Sequence, residues 1–252
     1  MQIKSSKILI KLAITTALAL GLCACTQQTE KPTDIANALP PPNKLQAAQL
    51  NVQLGLGYLQ QKQTDIAKRK LLKALKLAPR LAKAHYAMGY YYAEVGECAA
   101  AKQEYQKAIQ LNPNDPQALN SYGVFLCNQH EYKNGIDYFL KAIRIANNTQ
   151  VGLTYENAGI CALKIPNQTQ AKEFLQKAIT QNPSLVAAYY HLATIAYDQK
   201  DYHLAQQYLA QFDVHNKPTK KSLELGIKLA KHFGDKAKAA SLELILQGVG
   251  PN

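Results

Sequence analysis

Hydrophobic and polar positions divide the chain into three regimes. An uncharged apolar run from Leu12 to Leu22 follows Lys4, Lys7 and Lys11 and ends in Leu22-Cys23-Ala24-Cys25. A polar stretch from Thr26 to Asn43 then carries Pro32 and the triple Pro40-Pro41-Pro42. Beyond it the apolar positions follow a helical period, and the whole pattern returns about every 34 residues. A glycine behind a larger residue recurs as Leu54-Gly55, Met88-Gly89, Tyr122-Gly123 and Ala158-Gly159. A second small residue recurs at Ala67, Ala101, Gly135, Ala171 and Ala205, and a bulky one follows at Leu71, Tyr105, Phe139, Leu175 and Leu209. Another small residue comes three later, at Ala74, Ala108, Ala142 and Ala178. Pro79, Pro113 and Pro183 punctuate the cycle, with Asn147 in the equivalent place between the last two.

Each position has a packing reason. Small residues let two antiparallel helices approach closely, the bulky residue fills the gap to the neighbouring pair, and proline ends the second helix. Helix pairs of this length resemble tetratricopeptide repeats. The expected fold is all-α, a right-handed superhelical solenoid of about six such pairs over residues 44–252. The repeats fall at 48–81, 82–115, 116–149, 152–185 and 186–218, with a small insertion at Gln150 and Val151. The fifth unit is degenerate, with Phe212 where alanine is expected. Residues 220–247, with Leu225-Gly226-Ile227 and a turn at Phe233-Gly234-Asp235, read as a sixth pair capping the array. No alternating strand pattern is present.

The apolar run is too short for a permanent membrane span, and its basic flank and small-residue exit are those of a secretory signal over residues 1–24. Leu22-Cys23-Ala24-Cys25 resembles the lipobox of bacterial lipoproteins. Cys25 is the lipidation candidate, because Leu22 before Cys23 is larger than the small residue such a site needs. An ordinary secreted protein cut nearby is the alternative. Thr26 behind the anchor, in place of the Asp often found on lipoproteins kept in the inner membrane, points to the outer membrane. Residues 25–43 then form a tether, since consecutive prolines favour an extended polyproline conformation. At about 3 Å per residue it reaches some tens of Å.

The formal charge of +12 becomes +9 when the three leader lysines are removed, so the remainder is basic. Such a charge accelerates encounter with anionic partners without selecting one. The lysines spread along helical faces without interleaved aromatics, and together with the secretory leader this argues against nucleic acid.

Beyond Cys23 and Cys25, three cysteines remain. Cys127 and Cys161 stand 34 residues apart on the first helices of adjacent repeats, near the same height, where a bridge is geometrically feasible in an oxidising periplasm; two buried free thiols are the alternative. Cys98 falls in the turn Gly96-Glu97-Cys98, either as a reactive thiol or as a tolerated turn residue. The six histidines are dispersed, no Cys-x-x-Cys pair exists outside the leader, and Gly55-Leu56-Gly57 lies inside a helix without a preceding strand. Metal, cofactor, small-molecule substrate and catalytic residues therefore have no visible seat. A binding surface does: first helices of stacked units line a concave groove, and the helical period assigns to it Tyr86, Tyr90, Asn120, Val124, Glu156, Ile160, Tyr190 and Thr194. This mixture suits an extended or helical peptide.

Three strings carry a more specific likeness: Asn120-Ser121-Tyr122-Gly123-Val124-Phe125-Leu126-Cys127, Tyr155-Glu156-Asn157-Ala158-Gly159-Ile160-Cys161 and Leu225-Gly226-Ile227-Lys228-Leu229-Ala230. With the lipobox and the repeats, the chain resembles the type IV pilus biogenesis and stability lipoproteins of the PilF/PilW family, the pilotins. The resemblance implies a non-enzymatic outer-membrane lipoprotein that binds pilus secretin subunits and helps them reach the outer membrane and form their ring. It also implies a disulfide between the two cysteine-ended strings. Cys98 lies outside that pattern. A scaffold for outer-membrane barrel assembly or for cell-wall enzymes is the alternative function.

Overall fold

The computed structural model describes residues 43–166 and 168–248. The proposed leader, Cys25 and the tether before Asn43 lie outside the described residues. Among the described residues there are twelve helices in six pairs, and the fold is an all-α tetratricopeptide solenoid. The pairs are α1 (Lys44–Gln60) with α2 (Thr64–Leu77), α3 (Ala82–Glu94) with α4 (Cys98–Leu111), and α5 (Pro116–Asn128) with α6 (Tyr132–Ile143). They continue as α7 (Val151–Ala162) with α8 (Gln168–Gln181), α9 (Val186–Asp198) with α10 (Tyr202–His215), and α11 (Lys220–His232) with α12 (Lys236–Gly248).

Within a pair the contact is set by the recurring glycine. A methyl at Gly55 would fall 2.5 Å from Leu71, at Gly89 3.0 Å from Tyr105, at Gly123 2.7 Å from Phe139, and at Gly159 2.6 Å from Leu175. The bulky residue of the second helix thus settles on the glycine of its own first helix. The expectation that it fills the gap to the next pair describes only part of its packing. Tyr105 does both: it covers Gly89 and its ring lies 5.6 Å from those of Tyr122 and Phe125 in the following pair. These bulky residues, with Ala67, Ala101, Ala108, Ala171 and Ala178, are buried almost completely.

Turns and stops are also local. The residue at φ > 0 in the hairpin turn is Lys62, Gly96, His130, Lys200 and Gly234, a series with steps of 34 residues inside it. The α2, α4 and α8 helices stop two residues before Pro79, Pro113 and Pro183. The third cycle lacks the proline, so α6 ends earlier, at Ile143, and the amide of Asn148, not of Asn147, donates to the Ala142 carbonyl at 2.9 Å. Asp115 caps α5, accepting from the N–H groups of Gln117 and Ala118 at 3.0 and 3.2 Å with Pro116 in the first turn.

First helices touch from one repeat to the next along α1, α3, α5, α7 and α9, whereas successive second helices do not. An array in contact on one side and splayed on the other is curved, with the first helices on its inner face. The last pair departs from this pattern: α11 packs on α10, as at every junction, but without a contact to α9 like that which joins the earlier first helices. Phe212, where the repeat pattern calls for alanine, is buried there against Tyr190 at 5.9 Å between rings.

Candidate functional site: a cleft on the inner face

The inner face holds a cleft of about 440 Å³ formed mainly by α1, α3 and α5, with Gln150 and Leu153 closing one side. Tyr86 and Tyr90 enter from α3, one helical turn apart; Asn120, Ser121 and Val124 come from α5, and Leu56 and Gln60 from α1. Glu94 is its one formally charged lining residue. Burial pushes the Tyr86 and Tyr90 phenols above their ordinary value, so both stand as neutral hydroxyls able to donate and accept. The Asn120 Oδ1 accepts from Asn157 Nδ2 at 3.1 Å, which ties α5 to α7 and fixes the orientation of its amide. An apolar floor with amide and hydroxyl groups on the walls offers backbone-type hydrogen bonds together with side-chain pockets, the combination that holds a polypeptide segment.

Of the eight groove residues expected from the period, the structure brings four into this cleft: Tyr86, Tyr90, Asn120 and Val124. The other four lie elsewhere. Glu156 is buried and accepts from the Ala188 N–H at 2.9 Å, so it serves the start of α9. Ile160 packs on the cluster of Leu175, Leu192 and Ile195. Tyr190 is half-buried and packs against the core around Phe212. The Thr194 hydroxyl donates to its own helix, at the Tyr190 carbonyl. Sequence reasoning missed Gln117, Ser121 and Asn128, although they continue the Asn120 and Val124 stripe at helical spacing. Leu56 and Gln60 also line the cleft and were legible in the period, standing 34 residues before Tyr90 and Glu94; Gln150 and Leu153 were not singled out either.

Cys127 and Cys161 are joined in a disulfide between α5 and α7, with Cα atoms 5.9 Å apart. The bridge clamps two inner-face helices of adjacent repeats next to the cleft. Cys98 is exposed and opens α4 instead of lying in the turn before it, because Gly96 takes the φ > 0 position and the chain is helical two residues later. Among the described residues no group of three or more His, Cys, Asp or Glu could hold a metal, and no helix is long and apolar enough to cross a membrane.

The basic residues are more concentrated than their spread along the chain suggests. Residues 62–83 hold eight Lys or Arg and one acid, a net +7, while residues 84–248 hold sixteen basic and fourteen acidic residues.

Tetratricopeptide-repeat models match residues 82–115 and 104–136. The type IV pilus assembly protein PilF of Pseudomonas aeruginosa is 32% identical over 243 residues, spanning 96% of this chain and 94% of PilF. The chain belongs to the PilF family. A structure reported as a functional characterisation of Pseudomonas aeruginosa PilF superposes with a TM-score of 0.78 at 34% identity, covering 81% of this chain and 92% of that one. The crystal structure of PilW, described as a widely conserved type IV pilus biogenesis factor, has the same fold, with a TM-score of 0.73 at 23% identity over 81% of this chain and 93% of its own. As a tetratricopeptide-repeat protein of the PilF family, the chain is a non-enzymatic protein-interaction module.

Proposed function

We propose that the chain serves type IV pilus biogenesis as a pilotin: an outer-membrane lipoprotein, anchored through Cys25, whose inner-face cleft holds a segment of the pilus secretin and promotes its targeting and ring assembly. The observation that carries this reading is the near full-length relationship to PilF, combined with an amide- and tyrosine-lined cleft on the inner face of the first three repeats. A segment bound there would place apolar side chains against Leu56, Val124 and Leu153 and give its backbone groups to Asn120, Gln117 and the tyrosine hydroxyls.

The test is the level of heat-resistant secretin multimers in cells that carry Tyr90→Ala/Asn120→Ala/Val124→Glu in place of the parent chain, with protein level and helicity checked in parallel. Multimers and surface pili are expected to fall together in the variant and in a deletion. A crosslinked pull-down from membranes that returns barrel-assembly components or cell-wall enzymes without secretin would overturn the assignment.

A further inference from the structure

The α2 helix carries a second surface that the cleft does not use. Its buried stripe is Ala67, Leu71 and Ala74. Arg69, Lys73 and Lys76 repeat that spacing two residues later, which at about 100° per residue puts them on the opposite side of the helix. All three are exposed, as are Arg80 and Lys83 just beyond, while Lys70 is half-buried. None of these six forms an ion pair among the described residues, although ion pairs do form elsewhere. Residues 44–81 carry a net charge of +7 and residues 82–248 a net +3, so most of the folded domain's excess positive charge sits at its first unit.

Apolar groups are set among the cations. Leu72, 47% exposed, lies between Arg69 and Lys73. Leu45, 46% exposed, borders a shallow apolar depression with Pro79, Arg80 and Leu81. Unpaired cations around exposed leucines match an anionic lipid surface, where phosphates neutralise the charge and the leucines enter the headgroup boundary. An acidic polypeptide would use the charge but leave Leu72 in water.

We propose that the outer face of α2 docks on phosphate headgroups of an anionic bilayer, orienting the first repeat on the lipid surface independently of any acyl anchor. The orientation leaves the inner face, built from the first helices, turned away from α2 and open to a partner.

The experiment places a solvatochromic fluorophore at Leu72→Cys in the full chain with Cys23, Cys25 and Cys98 changed to Ser. The probe is mixed with phosphatidylglycerol-containing vesicles or with pure phosphatidylcholine vesicles. The expected result is a blue shift on the anionic vesicles at low salt, abolished at 0.5 M salt. In Arg69→Glu/Lys73→Glu/Lys76→Glu the apparent affinity is expected to fall by about tenfold or more. These positions are exposed, so unchanged helicity certifies folding of the variant. No shift on the anionic vesicles, an equal shift on neutral ones, or a response to polyglutamate alone would each overturn the proposal. Secretin multimers do not enter this readout, so its failure is distinguishable from failure of the pilotin reading.

Discussion

Glu156, on α7, accepts a hydrogen bond from the backbone N–H of Ala188, on α9, at 2.9 Å, and so caps the helix of the next repeat from inside the wall of its own. Leu185, the residue before α9, offers no side-chain cap of its own, and Glu156 substitutes for it. Burial outweighs this bond and raises the Glu156 carboxyl above its ordinary value.

Glu156→Gln keeps the acceptor and removes the buried charge, so at pH 7 its melting temperature is expected to equal or exceed that of the parent. Glu156→Ala removes the cap and should cost about 1–2 kcal/mol. The sign with pH follows from the raised value: the group's favourable contribution is complete below its unfolded pKa and is lost as pH rises through the folded one. Any advantage of Glu156→Gln should therefore shrink on going from pH 7 to pH 4. Thermal melts at both values decide it, and a Gln variant as unstable as the Ala variant would refute the account.

Gly135 and Gly57 make a matched pair of tests. A methyl at Gly135 would meet the Cys127 sulfur at 2.5 Å and the Gly123 carbonyl oxygen at 2.8 Å, and neither can move aside, one being locked in the disulfide and the other in the helix backbone. Gly135→Ala should destabilise by about 2 kcal/mol or more. At Gly57 nothing lies within 4 Å, so Gly57→Ala gains helix propensity and should stabilise by up to about 1 kcal/mol. Urea midpoints measure both, and equal effects would remove the close-approach argument.

Opening the Cys127–Cys161 bridge releases a loop of 34 residues. The chain-entropy model puts the loss at about 3–4 kcal/mol. A reductant should lower the denaturation midpoint of the parent and leave Cys127→Ala/Cys161→Ala unchanged; if both respond alike, the bridge is not what is being reduced.

His85 is held at both ring nitrogens, by Glu104 at 2.6 Å and by the Pro79 carbonyl at 2.8 Å, and the bond to Glu104 raises its pKa despite partial burial. Its stabilising contribution is then complete below about pH 6.5 and fades as pH rises through the folded value. Glu104→Gln should be more destabilising at pH 6 than at pH 9, by chemical denaturation; an equal loss at both would exclude the charged pair.

The amino-acid sequence by itself determined the six pairs, the small residues at their close approaches and most of their stops, because these recur with one period; that the bulky residue sits on the glycine of its own pair was decided by the packing. It also put Tyr86, Tyr90, Asn120 and Val124 on one face, where they line the cleft. Tertiary structure decided the rest. Glu156 shares the period of the groove residues, yet Ala188 of the next repeat claims its carboxylate, and Tyr190 packs against Phe212 of its own pair. Gln150 reaches the cleft from the irregular link after α6, where the proline is missing, and Leu153 from the first turn of α7. A helical period fixes the side of a helix that a residue occupies; the offset between successive repeats fixes what lies opposite, and that offset is a property of the stacked array.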